Sequence, residues 1–245
     1  MAFACIFGGS LAGMTLGALL PEQHLNQESK DVVKLGMGLI ATMAALVLSL
    51  LIASAKTAYD TKNTELQQVA ANVLLLDRVL AHYGPETQDA RALVRKAVEN
   101  ALHAAWPEEG GEPARLDAPG TIPVVEVVQD EIRALVPRTD AQRWLQSRAL
   151  QVSGDVAQMR WLVFGSSGSS IPGPFLVALV FWVTVIFGSF GLFAPRNATV
   201  VGVLLVCALS VATSLVLILE MDRPLEGWLK VSSAPLHYTL AHLGQ

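Results

Sequence analysis

The sequence predicts an all-α membrane protein, with four transmembrane helices and a cytoplasmic helical bundle extending from them. Three observations lead there. Residues 3–20, 35–55, 175–193 and 198–219 contain no Asp, Glu, Lys or Arg, and each is near the ~20 apolar residues needed to cross ~30 Å of hydrocarbon. Only 16% of the 245 residues are charged, whereas soluble domains carry about a quarter. Of the 21 Asp and Glu, 15 fall in residues 56–171, where apolar positions recur at helical spacing. The chain therefore divides into helices one and two (1–55), a helical region (56–171, the second helix continuing to about 83), helices three and four (172–219) and a C-terminal segment (220–245).

Charge excludes a nucleic-acid partner. The net charge is −4, and residues 56–171 hold 12 Lys and Arg against 15 Asp and Glu, so no basic face dominates. Cys5 and Cys207 both lie in apolar segments, which excludes a disulfide framework. A cleaved signal needs a positive n-region. Here the first Lys or Arg is Lys30, after the first apolar segment. With four spans both chain ends and residues 56–171 share one side, which carries Lys56, Lys62, Arg160, Arg223 and Lys230 near the membrane. The other side carries Lys30, Lys34 and Arg196. Positive charge collects inside, so the large region and both ends are placed in the cytoplasm.

In the first span Cys5, Gly9, Gly13 and Gly17 recur every four residues. Small residues at this spacing let two helix backbones approach closely in lipid. The second helix has no Gly or Pro between Met43 and Tyr83, and Leu66, Val69, Val73, Leu76, Leu80 and Tyr83 form a seam of the coiled-coil type. One helix is expected from about Asp31 to Tyr83, roughly 80 Å long at 1.5 Å per residue. Gly84-Pro85 ends it. Further helices are expected over 87–105, 124–136 and from Thr139 or Asp140 to about Phe164. The Pro107–Pro123 stretch, with Glu108, Glu109 and Glu112, reads as a solvated loop. Ser233 and Pro235 open a short last helix.

Enzyme motifs fail. HExxH, the P-loop and the dinucleotide glycine pattern are absent, and Gly165–Ser170 does not fit GxSxG. No cofactor, metal or catalytic residue is expected.

The second span is the place to look for function. One face reads Lys34, Gly38, Thr42, Ala45, Ser49, Ala53 and Lys56. It is small and mildly polar, with a lysine at each end. Repeated around a symmetric oligomer, it forms a narrow, electropositive pore suited to anions. The same residues also suit close packing, with both lysines snorkelling to the interfaces. An alternative face, Leu39, Met43, Leu46 and Leu50, offers a hydrophobic constriction. At the end of the last span, Glu220, Asp222 and Arg223 precede Pro224. A carboxylate in a last helical turn opposes the helix dipole, so Glu220 needs a partner, and Arg223 is three positions on. The expected role is a polar junction, with gating or ion binding as the secondary reading.

The segments QESKDVVKLGMGLIATMAALVLSLLIASAK, LLLDRVLAHYGPE, IPGPF, FGSFGLFAPRNA, ALSVATSLVLILEMDRPLEG and SSAPLHYTLAHLGQ occur in this order. Together they resemble the bacterial bestrophin-like domain proteins, a family distantly similar to bestrophins, and the resemblance covers nearly the whole chain. Bestrophins are pentameric anion channels whose second span lines the pore, whose cytoplasmic helices extend from the spans, and whose chain ends lie in the cytosol. The resemblance implies a homo-oligomeric, anion-conducting channel of a bacterial inner membrane, with lipid, copies of itself and inorganic anions as partners. Two departures stand out. Bestrophin pores narrow at bulky apolar side chains, whereas the lysine-flanked face here is small. The dense acidic run of calcium-gated members is also absent, leaving Glu220, Asp222 and Glu226. A non-conducting scaffold with a helical docking bundle is the alternative.

Overall fold

The computed structural model describes residues 1–21, 27–106, 123–165, 171–225 and 227–245. Among these all regular structure is helical: α1 (Ala2–Leu19), α2 (Gln27–Tyr83), α3 (Gln88–Ala105), α4 (Pro123–Ala134), α5 (Asp140–Arg160), α6 (Gly173–Phe193), α7 (Ala198–Asp222) and α8 (Ala234–His242). Four of them, α1, α2, α6 and α7, are long and apolar enough to cross a membrane. The acidic Pro107–Pro123 loop, Ser166–Ser170 and Glu226 fall wholly or mainly outside the described residues. The chain forms two compact units, Met1–Ala58 with Ser169–Asp222, and Tyr59–Gly168 with Arg223–Gln245.

In the first unit α1 packs chiefly on α6. The reason is the absence of side chains on both partners. A Cβ on Gly9 would stand 2.7 Å from Thr184 Cγ2, and one on Gly17 would stand 2.6 Å from the Leu192 carbonyl oxygen. A Cβ on Gly13 or Gly191 would run into the carbonyl of Gly188 or Ser10 respectively. Lipid is as apolar as leucine, so helices in it are held by this close backbone approach more than by hydrophobic burial. Ile6, Leu179, Phe187, Leu204, Ala208 and Leu215 fill the remaining core. Cys5 heads the glycine stripe in sequence, yet it is exposed, as is Cys207, and both are free thiols.

The second unit is built by the distal half of α2. Leu66, Val69, Val73, Leu76, Leu80 and Tyr83 are all buried. Val94, Val98 and Leu102 of α3, Val128 and Ile132 of α4, and Val152 and Val156 of α5 join most of that seam in one core, with Leu236 of α8. The seam is thus covered by the chain's own helices. Fully burying each such aliphatic side chain contributes about 1.5–3 kcal/mol in water.

Gly84 adopts φ +139, which a side chain would strain, and a 3-10 turn over Pro85–Thr87 follows. Thr87 Oγ1 lies 2.7 Å from the Leu80 carbonyl and 2.8 Å from that of Gly84, donating its hydrogen to the end of α2. α4 stops at Ala134, two residues short of the expected Val136, because Pro137 disfavours helical geometry in the residue before it. Thr139 caps α5, its hydroxyl accepting from the Gln142 amide at 3.1 Å. α5 then widens into a π turn over Trp161–Gly165, where Lys62 Nζ donates to the Leu162 carbonyl. At α8 Ser233 holds the N-cap position without a side-chain cap bond, and the Ser232 hydroxyl accepts from the Ala234 amide at 3.2 Å.

Candidate functional site: the exposed faces of α2

Of the four helices long and apolar enough to cross a membrane, α2 has the least covered apolar window. Its apolar window is 11% buried, against 22%, 17% and 28% for those of α1, α6 and α7. The covered stripe passes through Ala44, Leu51 and Ala55, with Val47 and Leu48 alongside. At 3.6 residues per turn the Lys34-to-Lys56 face and the Leu39-to-Leu50 face are centred about 100° apart, both away from that stripe. Among the described residues, both faces are exposed along the apolar half of the helix.

On the small face Lys34, Gly38, Thr42, Ala45, Ser49, Ala53 and Lys56 are all exposed. Lys34 Nζ lies 3.6 Å from Asp31 Oδ1, both side chains being well exposed. Such a pair contributes little, so the ammonium stays largely solvated. A Cβ added to Gly38 would meet nothing within 4 Å. Thr42 Oγ1 donates to the Leu39 carbonyl at 2.7 Å, and Ser49 Oγ to the Ala45 carbonyl at 2.8 Å. With the hydroxyl hydrogens so used, only lone pairs point outward. To donate outward, the hydroxyls must rotate. On the second face Leu39 (65%), Met43 (47%), Leu46 (72%) and Leu50 (64%) are also exposed, which suits lipid, a neighbouring copy or a hydrophobic constriction.

Gly9, Gly13 and Gly17 sit between α1 and α6, away from these faces. At the end of α7 Asp222 is buried and Glu220 half-buried, while Arg223 is exposed and is the first residue beyond the helix. The chain then turns back, the Val231 amide donating to the Pro224 carbonyl at 2.9 Å. Trp106 Nε1 donates to the Val231 carbonyl, also at 2.9 Å.

Sequence reasoning missed one polar centre. Asp77, fully buried in α2, accepts two hydrogen bonds from Arg91 of α3, Nε to Oδ1 at 2.7 Å and Nη2 to Oδ2 at 3.0 Å. The Gly244 amide donates to Oδ2 at 3.2 Å. Arg78 Nη1 reaches the Gln245 carbonyl at 3.2 Å, and Arg95 Nη1 the Leu243 carbonyl at 3.3 Å. The Asp77 bond holds the Arg91 guanidinium above its usual pKa, against the opposing effect of burial. The available signal was an aspartate between Val73 and Leu80 on the apolar seam. This centre fastens residues 243–245 to α2 and α3 and offers no open position for chemistry.

Several long apolar helices define a membrane protein. The family model of the Bestrophin-like domain matches residues 4–236. The chain belongs to the bestrophin-like family. No curated protein and no solved structure matched it.

Proposed function

We propose that the chain is one subunit of a homo-oligomeric anion channel in a bacterial inner membrane, with its pore along the small face of α2. In this reading α1, the apolar half of α2, α6 and α7 are the four spans. The second unit is a cytoplasmic bundle and both chain ends face the cytoplasm. The observation that carries the proposal is the exposed, small-residue face that runs between Lys34 and Lys56. In a ring of copies that face can line the axis while the Leu39–Leu50 face meets a neighbour or lipid. Five subunits follow from the family's resemblance to bestrophins. No catalytic role is proposed.

Purified protein in liposomes under an imposed chloride gradient tests this. Chloride efflux above that of protein-free vesicles is expected. Its absence across several anions, from folded oligomeric protein, would remove the channel reading. A second reading, a non-conducting docking platform, is favoured by the exposed Trp144 (66%) and Val136 (81%) on the bundle. A monomer in mild detergent with no flux is its expected signature.

A further inference from the structure

Where α1 and α6 end and α2 begins, two adjoining spaces of opposite character open within the first unit. One, of about 400 Å³, is lined by Lys30 and Arg196 together with Met14, Gly17 and the Phe193–Pro195 turn. The other, of about 590 Å³, is an apolar groove lined by Leu16, Leu19, Val33, Met37, Val185 and Leu192 among others. Leu192 lines both. On α2, Lys30, Val33 and Met37 fall on one helical stripe, so the cation is the polar end of an apolar row. From the helix ends the groove runs back to Ala12 on α1, Met37 on α2 and Val185 on α6, about 10 Å of depth at 1.5 Å per residue. Arg196 is held in place by donating Nη2 to the Met14 carbonyl at 3.2 Å. Both volumes lie in the range of about 300–1,000 Å³ of small-ligand sites.

We propose that this is a binding site for one anionic phospholipid. Its phosphodiester sits between Lys30 and Arg196 and one acyl chain lies in the Leu16–Val185 groove. Cations of the pocket match the headgroup charge, and the groove at their foot matches a chain entering the apolar layer. A soluble phosphate would use the first space and leave the second empty. This site does not depend on whether the protein conducts.

The test is lipid binding to full-length protein stripped of lipid in detergent, measured by native mass spectrometry. Dioleoyl phosphatidylglycerol is expected to bind well above zwitterionic dioleoyl phosphatidylcholine. Lys30→Gln and Arg196→Gln should each weaken the anionic lipid about fivefold, as expected for one cation near a lipid phosphate. Ala12→Phe, which fills the groove, should weaken both lipids. Should Arg196→Gln misfold through loss of its Met14 bond, Lys30→Gln still decides the matter. Equal binding of the two lipids, or no effect of Lys30→Gln and Ala12→Phe, would overturn the proposal. So would glycerol 3-phosphate displacing the lipid at comparable concentration, the mark of a free-phosphate site. An Ala12→Phe variant that breaks the oligomer yet binds lipid normally would assign the groove to a second copy and overturn it too.

Discussion

Two residues of the second unit give the sharpest local tests. Asp77 is wholly buried and its carboxylate is matched by Arg91 and the Gly244 amide. Removing one partner of such a pair strands the other charge, at a cost of about 3–5 kcal/mol. Asp77→Ala is therefore expected to lower the unfolding temperature sharply in detergent. Asp77→Ala with Arg91→Met should recover part of the loss, because the double variant leaves no unpaired charge behind. Tyr83 is the opposite case. Among the described residues its buried hydroxyl has no hydrogen-bond partner. Burial raises its pKa above the ordinary 10.0, Glu86 adds to the rise and Arg138 opposes it. The folded state thus holds the phenol proton more tightly than the unfolded state does. The resulting stability is complete below pH 10.0 and is lost as pH rises through the folded pKa. Tyr83→Phe should unfold less readily than the parent above pH 10, and cost little at pH 7, since no hydrogen bond is lost.

At the scale of elements, the α1–α6 contact separates glycines that matter from those that do not. Gly13→Ala would drive a methyl into the Gly188 carbonyl, which backbone cannot yield. The cost should exceed the roughly 1–3 kcal/mol of ordinary overpacking. Gly8 lies on the same helix with nothing within 4 Å of an added Cβ. Gly8→Ala should be neutral or stabilising by up to about 1 kcal/mol, from helix propensity alone. Thermal unfolding of both variants in one detergent checks the contrast. The glycine stripe was legible in the sequence, but its partner was not, since spacing reports a face and not what meets it. The same limit applies to α2. The lack of Gly and Pro from Met43 to Tyr83 made the long helix legible, and the seam from Leu66 to Tyr83 marked its buried side. That seam reads as a coiled coil because a heptad-like pattern does not say whether another chain or the same one covers it. Asp77 and Arg91 escaped notice because fourteen residues and the Gly84 turn separate them, and no helical period links residues across a turn.

For the whole molecule, we propose that the small face of α2 carries anions through an assembly of identical chains. In the proposed pore the lysines at the two ends of this face would set its charge preference, because the Thr42 and Ser49 hydroxyls are turned back on their own helix. Focused charge of one sign in a narrow passage sets which ions enter. The Leu39–Leu50 face carries no charge, so a pore lined by it would respond weakly to those lysines. The deciding measurement is the reversal potential in planar bilayers under a salt gradient for the parent protein, Lys34→Glu and Lys56→Glu. The account predicts anion selectivity in the parent and a shift toward cations in each variant. Currents whose reversal potentials are the same in all three proteins would contradict it.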